Sequence, residues 1–330
     1  MKLSQPTPIT EQKWPEGTLP LVSTSTLTYN HESYIRDCIE GILMQKTTFP
    51  VRVCIFEDAS TDRTAEIIKE YADKYPELIF AFCQKENTWR KGEIRRKARK
   101  PFDEARNVAK YIALCEGDDY WTDPLKLQKQ VEFMEKNRDY SLCYHSHKRI
   151  NNGILSKNTF PKKGRDFTQD ELIATPSGIA TATKFYINYI NVYGISTPAG
   201  FGADYLLNAF LGTLGKCKFL ASVGPSVRRV HSGGVWSSKS ESSKYYGAIT
   251  TKIKVYNYFK EQKDEHRMNI SLEELKHAID LNLPKAYPEY KRHNYPYRHF
   301  KLMYKGMGIV IFFDSVIELL KRILKKVKGR

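Results

Sequence analysis

The chain has 330 residues, 41% of them hydrophobic, and carries 53 Lys and Arg against 37 Asp and Glu for a net charge of +16, enough for one large domain or two small ones with a real core. Its six cysteines (Cys38, Cys54, Cys83, Cys115, Cys143, Cys217) are far apart and form no C-x-x-C pair, which argues against a zinc module or a disulfide framework and for reduced thiols in a cytosolic protein. Met1 to Thr18 lacks an apolar signal region, and no run of 18 uncharged apolar residues occurs, so neither a secretory signal nor a transmembrane helix is expected.

The charge is uneven. Residues 90–106 hold eight basic and three acidic side chains, a net +5, and residues 291–330 hold eleven and two, a net +9. The rest is close to neutral, and the basic residues are not interleaved with base-stacking aromatics, so nucleic acid is not the expected partner.

In chain order, a Pro-rich lead-in (1–18) reads as loosely ordered, and Leu19 to Leu27 as a buried strand ending in a loop at Tyr29-Asn30. Apolar positions at three- and four-residue intervals predict a helix from Ser33 to Lys46. A strand at Val51–Phe56 runs into Glu57-Asp58-Ala59-Ser60-Thr61-Asp62, and a helix follows from Thr64 to Tyr75, capped by Asp62 or Thr61. Leu78–Cys83 reads as a strand, the basic stretch as helix or loop, and Tyr111–Cys115 as a strand entering Glu116-Gly117-Asp118-Asp119-Tyr120-Trp121, with a helix starting at Pro124. This alternation is that of a doubly wound α/β half, whose ligands bind beyond the carboxyl ends of the strands, where both acidic clusters fall.

From about residue 150 the pattern loosens. Helices are expected at 166–174, 203–214, 246–262 and 271–281, the last opened by a capping box at Ser271 and Glu274, with strands at 179–186 and 216–223. Acid-rich strand ends suit a nucleotide with a hard divalent cation, because Mg²⁺ and Mn²⁺ take oxygen ligands and bridge phosphates.

The ordered set is more specific than any one motif. Pro20 to Asn30 (PLVSTSTLTYN), the Glu57–Asp62 cluster and Glu116–Trp121, supported by Tyr111–Cys115 and Lys126–Gln130, resemble the family 2 glycosyltransferases of bacterial surface-polysaccharide type, over residues 20 to about 240. The resemblance implies a GT-A fold: a Rossmann-like, doubly wound mixed α/β sheet flanked by helices, with a C-terminal helical extension. It implies a lead-in (1–18), a catalytic domain (19–245) with a nucleotide-sugar-binding half (19–123) and an acceptor half (124–245), and a helical region (246–330). It also implies that Leu27, Tyr29, Glu32, Asp58, Arg95, Arg99, Glu116, Asp118 and Arg229 face the donor nucleotide, Asp58 accepting the uracil N3–H.

By the same resemblance, Asp118 and His231 would hold Mn²⁺ or Mg²⁺, with Arg228 or Arg229 neutralising phosphate. Asp204 would be the catalytic base, its other role being a helix N-cap, and Asp119, Trp121 and Trp236 would touch sugar or acceptor. The sequence departs from the family in having Glu at position 116 and Leu27 where Pro is frequent. The implied reaction is inverting transfer from a nucleotide-sugar, UDP-linked, to a hydroxyl of a glycan or lipid-linked glycan.

At the C-terminus, Ile309, Phe313, Val316, Leu320, Ile323 and Val327 form an apolar stripe beside Lys321, Arg322, Lys325, Lys326 and Lys328. Residues 306–330 thus read as a basic amphipathic helix for an anionic membrane surface on the cytoplasmic side, with docking on the core or homodimerisation as the other uses. Two further readings stand beside the enzyme: a nucleotide-sugar-binding relative without catalysis, and a basic protein binding lipid or nucleic acid.

Overall fold

A computed structural model describes residues 2–286 apart from 90, 152, 175–177, 196–203 and 235–236. Trp236 and the 306–330 segment therefore lie outside the described residues. Contacts divide the chain into two units, residues 1–238 with 254–271, and 239–253 with 272–330; the strands and the candidate site all belong to the first.

The first half runs β1 (Thr7–Pro8), β2 (Val22–Thr28), α1 (Ile35–Leu43), β3 (Lys46–Thr47), β4 (Val51–Glu57), α2 (Thr64–Lys74), β5 (Ile79–Cys83), α3 (Glu93–Asn107) and β6 (Tyr111–Leu114). The second continues with α4 (Lys126–Lys136), β7 (Tyr140–Tyr144), β8 (His147–Asn151), β9 (Ile154–Leu155), α5 (Gln169–Ile173), β10 (Phe185–Ile187), α6 (Tyr189–Tyr193), α7 (Asp204–Gly212), β11 (Lys216–Phe219) and β12 (Ser226–Val230). The helices α8 (Glu241–Glu261) and α9 (Glu265–Ala286) come last.

Seven strands form the central sheet in the order β11-β7-β10-β6-β2-β4-β5. Neighbours β6, β2, β4 and β5 are parallel, β11 is parallel to β7, and β10 runs against both β6 and β7. One reversed strand in an otherwise parallel sheet gives the mixed α/β architecture. Because successive strand residues face opposite ways, Tyr111 and Ala113 of β6 enter one core with Ile35, Ile39 and Leu127, while Ile112 enters another with Leu142, Phe210 and Phe259. Burying each such large apolar side chain stabilises the fold by about 1.5–3 kcal/mol. A second, three-stranded sheet has the order β12-β8-β9.

The elements depart from expectation where tertiary contacts override local pattern. The lead-in is not loose: β1 pairs with β3, Ile9 is buried and Gln12 donates to the Thr47 carbonyl at 2.7 Å. That pairing ends α1 at Leu43, short of Lys46. The expected strand at 179–186 is split into a 3-10 turn at Thr181–Thr183 and the short β10. Helix α9 begins six residues before Ser271, which is buried inside it with its hydroxyl donating to the Met268 carbonyl at 2.8 Å, so no capping box forms there. The capping box lies instead at α5, between Thr168 and Glu171.

Candidate functional site

Three loops leave the carboxyl ends of β2, β4 and β6 side by side. The β2 loop turns at Asn30, whose φ of 54° is left-handed, a conformation Asn tolerates. Its side chain accepts from the Thr61 amide at 2.8 Å, the His31 amide donates to Thr64 Oγ1 at 2.8 Å, and the Glu32 amide donates to Asp62 Oδ2 at 3.0 Å. Glu32 in turn accepts from the Arg63 amide at 3.0 Å. Glu32 thus ties loop to loop, whereas Tyr29 is exposed.

The β6 loop is held against β2 by the Gly117 amide, which donates to the Leu27 carbonyl at 3.0 Å. A Cβ on Gly117 would sit 2.6 Å from Thr28 Oγ1 and 2.9 Å from His31 Nδ1, so the residue between Glu116 and Asp118 has to be glycine for His31 to pack there. Nδ1 of His31 and Thr28 Oγ1 share a hydrogen bond at 3.1 Å. Just past β12 comes His231, whose Nε2 lies 3.0 Å from Asp118 Oδ2 and whose ring lies 4.8 Å from that of Tyr34. His31, Asp118 and His231 place one ligand atom each within 4.8 Å of one another, a cluster that could hold a metal ion. His31 is not among the candidates that the sequence suggests; the signal available was a His in the same strand-end loop as Tyr29 and Glu32.

Burial works to raise the Asp118 carboxyl, but the His231 hydrogen bond and the fields of both imidazoles hold it below its ordinary value. Burial, followed by the charge of Asp118, pushes Asp119 up to about 8. Burial also lowers His31, partly opposed by Asp118. Asp118 is thus favoured as the carboxylate, the form in which it can ligate a cation.

Several expected contacts have other partners. Asp58 accepts from the Thr88 amide and hydroxyl through Oδ1 (2.8 and 2.6 Å) and from Arg95 through Oδ2 at 2.7 Å. Oδ2 keeps a lone pair for a base N–H. Arg95 stacks 4.7 Å from the Trp89 ring centroid. Arg99 lies 5.4 Å from the Phe102 ring centroid and bonds Asp103 at 3.3 Å. The side chain of Leu27 packs with Cys54, Phe56 and Phe102, so only its backbone serves the site.

Arg229 donates from NH1 to the Asp118 carbonyl and from its amide to Asp119 Oδ1, both at 2.9 Å. It also pairs with Asp37 and lies over the rings of Tyr34 and Tyr120. Its guanidinium positions the acid loop against α1, and Asp119 is buried in the same tie. Trp121 is corrected: at 1% exposure, with Nε1 donating to the Ala182 carbonyl at 2.9 Å, it is a core residue and not an acceptor contact. Glu116 remains in the loop beside Asp118, and Asp204 is the first residue of α7.

The sequence profile of Glycosyl transferase family 2 matches residues 23–189, just over half of the chain. The chain belongs to family 2 of the glycosyltransferases. An uncharacterized Mycobacterium tuberculosis protein is 35% identical to this glycosyltransferase over 222 residues, 66% of this chain and 61% of that protein. The chain thus spans about three-fifths of the length of its mycobacterial relatives. Among solved structures, Staphylococcus aureus TarS 1–349 in complex with UDP-GlcNAc is similar at 19% identity with a TM-score of 0.57, covering 81% of this chain and 74% of that one. The Pyrobaculum calidifontis mannosyltransferase PcManGT in complex with GDP-Man and Mn²⁺ is similar at 15% identity with a TM-score of 0.52, covering 94% and 84%. The fold of this transferase is GT-A, and no described helix is long and apolar enough to cross a membrane.

Proposed function

We propose that this glycosyltransferase moves a sugar from a nucleotide-sugar, UDP-linked, to a hydroxyl of a glycan or lipid-linked glycan in surface-polysaccharide synthesis, with inversion and with a divalent cation. The observation that carries the reading is the convergence of His31, Asp118 and His231 at the strand ends of a family 2 fold. Two imidazole nitrogens and a carboxylate suit Mn²⁺ better than Mg²⁺, which prefers all-oxygen surroundings. Bound there, the cation would offset the negative charge developing on the diphosphate leaving group. UDP-GlcNAc in TarS and GDP-Man with Mn²⁺ in PcManGT support a nucleotide-sugar and a metal.

In this reading the chain's own groups bind, orient and move one proton. Asp58 and Tyr29 hold the nucleobase, and the packing of Gly117 on Thr28 and His31 keeps Asp118 aimed at the diphosphate. Asp204 accepts the acceptor's hydroxyl proton as the acceptor oxygen bonds to the anomeric carbon and the carbon–oxygen bond to the diphosphate breaks on the opposite face. The products are the glycoside, the nucleoside diphosphate and a protonated Asp204.

Melting of the full chain with UDP, GDP, dTDP or CMP, with and without Mn²⁺, tests the reading. A nucleotide shift that grows with Mn²⁺ is expected, largest with UDP; absence of any shift would overturn it.

A further inference from the structure

Strand β12 carries consecutive arginines, and strand alternation sends them opposite ways. Arg229 points to the acid loop. Arg228 lies on the other face, in direct register with Arg149 of the parallel strand β8. Two like charges side by side on one sheet face repel unless an anion lies between them. Arg228 and Arg149 are both partly buried, and among the described residues neither forms an ion pair with a carboxylate; Asp119 feels the field of Arg228 but bonds the Arg229 amide. This sets them apart from Arg229, Arg95 and Arg99, each of which is paired with an aspartate.

The surroundings hold Arg149 in place without neutralising it. The Arg149 guanidinium lies 4.0 Å from the Phe160 ring centroid, and its Nε approaches His147 Nε2 at 3.5 Å. Phe160 is fixed by exchanging backbone bonds with His147 at 2.9 and 2.7 Å. His147 is buried and its Nδ1 has no partner. Burial, reinforced by Arg149 and Arg228, drives its pKa down to about 4, as expected beside two cations without ion-pair partners.

We propose that Arg149 and Arg228 form an oxyanion site for a phosphate group, distinct from the donor site and on the opposite face of β12 from Arg229. Arginine suits a phosphate because its planar fork offers paired N–H donors at the spacing of phosphate oxygens, and stacking on an aromatic ring fixes its plane. The phosphate could arrive on an acceptor chain or as a free anion, and the chemistry of recognition is the same.

The test uses the full chain with EDTA present and no nucleotide, so its outcome is independent of the donor reading. Melting is followed against inorganic phosphate, with NaCl at matched ionic strength as the reference, for wild type, Arg149→Gln and the double variant Arg149→Gln/Arg228→Gln. The expected result is a saturable phosphate-specific rise in wild type, a midpoint at least tenfold higher in Arg149→Gln, and no response in the double variant. Both variants should melt at or above the wild-type temperature without phosphate, because removing one of two like charges relieves repulsion. The proposal is overturned if phosphate acts no better than NaCl, or if all three proteins respond alike. It is equally overturned if the variants melt lower and phosphate does nothing for wild type, which would make the pair a packing element on Phe160. A glycerol-phosphate oligomer binding tenfold more tightly than inorganic phosphate would support an acceptor-borne source; equal binding would support a free anion.

Discussion

His31 and Gly117 act as one unit at the residue scale, since a methyl group on Gly117 would overlap the atoms that hold His31 in place. Gly117→Ala should therefore weaken Mn²⁺ binding in the same direction as His31→Ala, by roughly 10- to 100-fold in each case, the range seen when the groups orienting metal ligands are lost. Titration of Mn²⁺ by its paramagnetic signal would check this, and unchanged affinity in His31→Ala would remove that residue from the metal site. Asp204→Asn should lower the transfer rate by about 10²–10⁴-fold as a general base is lost, while the UDP-induced melting shift persists. Of the site, Asp118 and His231 were legible because an acid triplet after a strand and a His before two glycines are local signals. His31 and the partners of Arg229 and Trp121 were not legible, for a common reason. Whether a side chain faces a ligand or ties two loops depends on contacts between residues far apart in sequence, such as Arg229 to Asp37 and Trp121 to Ala182.

Helix α4 illustrates what an element conceals. Its first residue, Lys126, is fully buried, with Nζ donating to Gln130 at 2.7 Å and lying 4.1 Å from the Trp121 ring centroid. Burial lowers its pKa to about 7, against about 10.4 in an unfolded chain. Between those values the unfolded chain holds a proton that the folded protein has shed, so stability rises as pH climbs from 7 towards 10.4 and is flat below 7. Lys126→Met should thus stabilise the fold by roughly 1–3 kcal/mol at pH 7, with the gain shrinking at pH 10. Chemical denaturation of both proteins at the two pH values would decide, and an equal difference at both would refute the assignment. At α5, Thr168→Ala removes the hydroxyl that accepts from the Glu171 amide and should cost about 1 kcal/mol in the same assay. Strands β2, β4, β5 and β6 and helices α1, α2 and α4 were legible because each carries its own period, whereas β1 and β3 were not, since two-residue strands exist only through their pairing with each other. Strands β7, β8 and β12 were not, since β7 and β8 are five residues each and separated by a two-residue turn, and β12 is recognisable only through its pairing with β8.

Charge acts at the scale of the whole molecule. A net +9 is concentrated in residues 291–330, beside an apolar stripe from Ile309 to Val327, against a net +7 spread over the 290 residues before them. So dense a basic segment gains on the order of 1 kcal/mol for each basic residue near the headgroups of an anionic bilayer, in addition to burial of its apolar stripe. A lipid-linked acceptor would then be met at the surface where it resides. The full chain should sediment with vesicles containing phosphatidylglycerol at low salt and be released at high salt, since exposed charge is screened within about 8–10 Å near physiological ionic strength. A chain ending at residue 305 should remain in the supernatant while keeping its UDP-induced melting shift. Equal sedimentation of the two chains would assign membrane binding elsewhere, and failure of the full chain to sediment would confine its basic terminus to other partners.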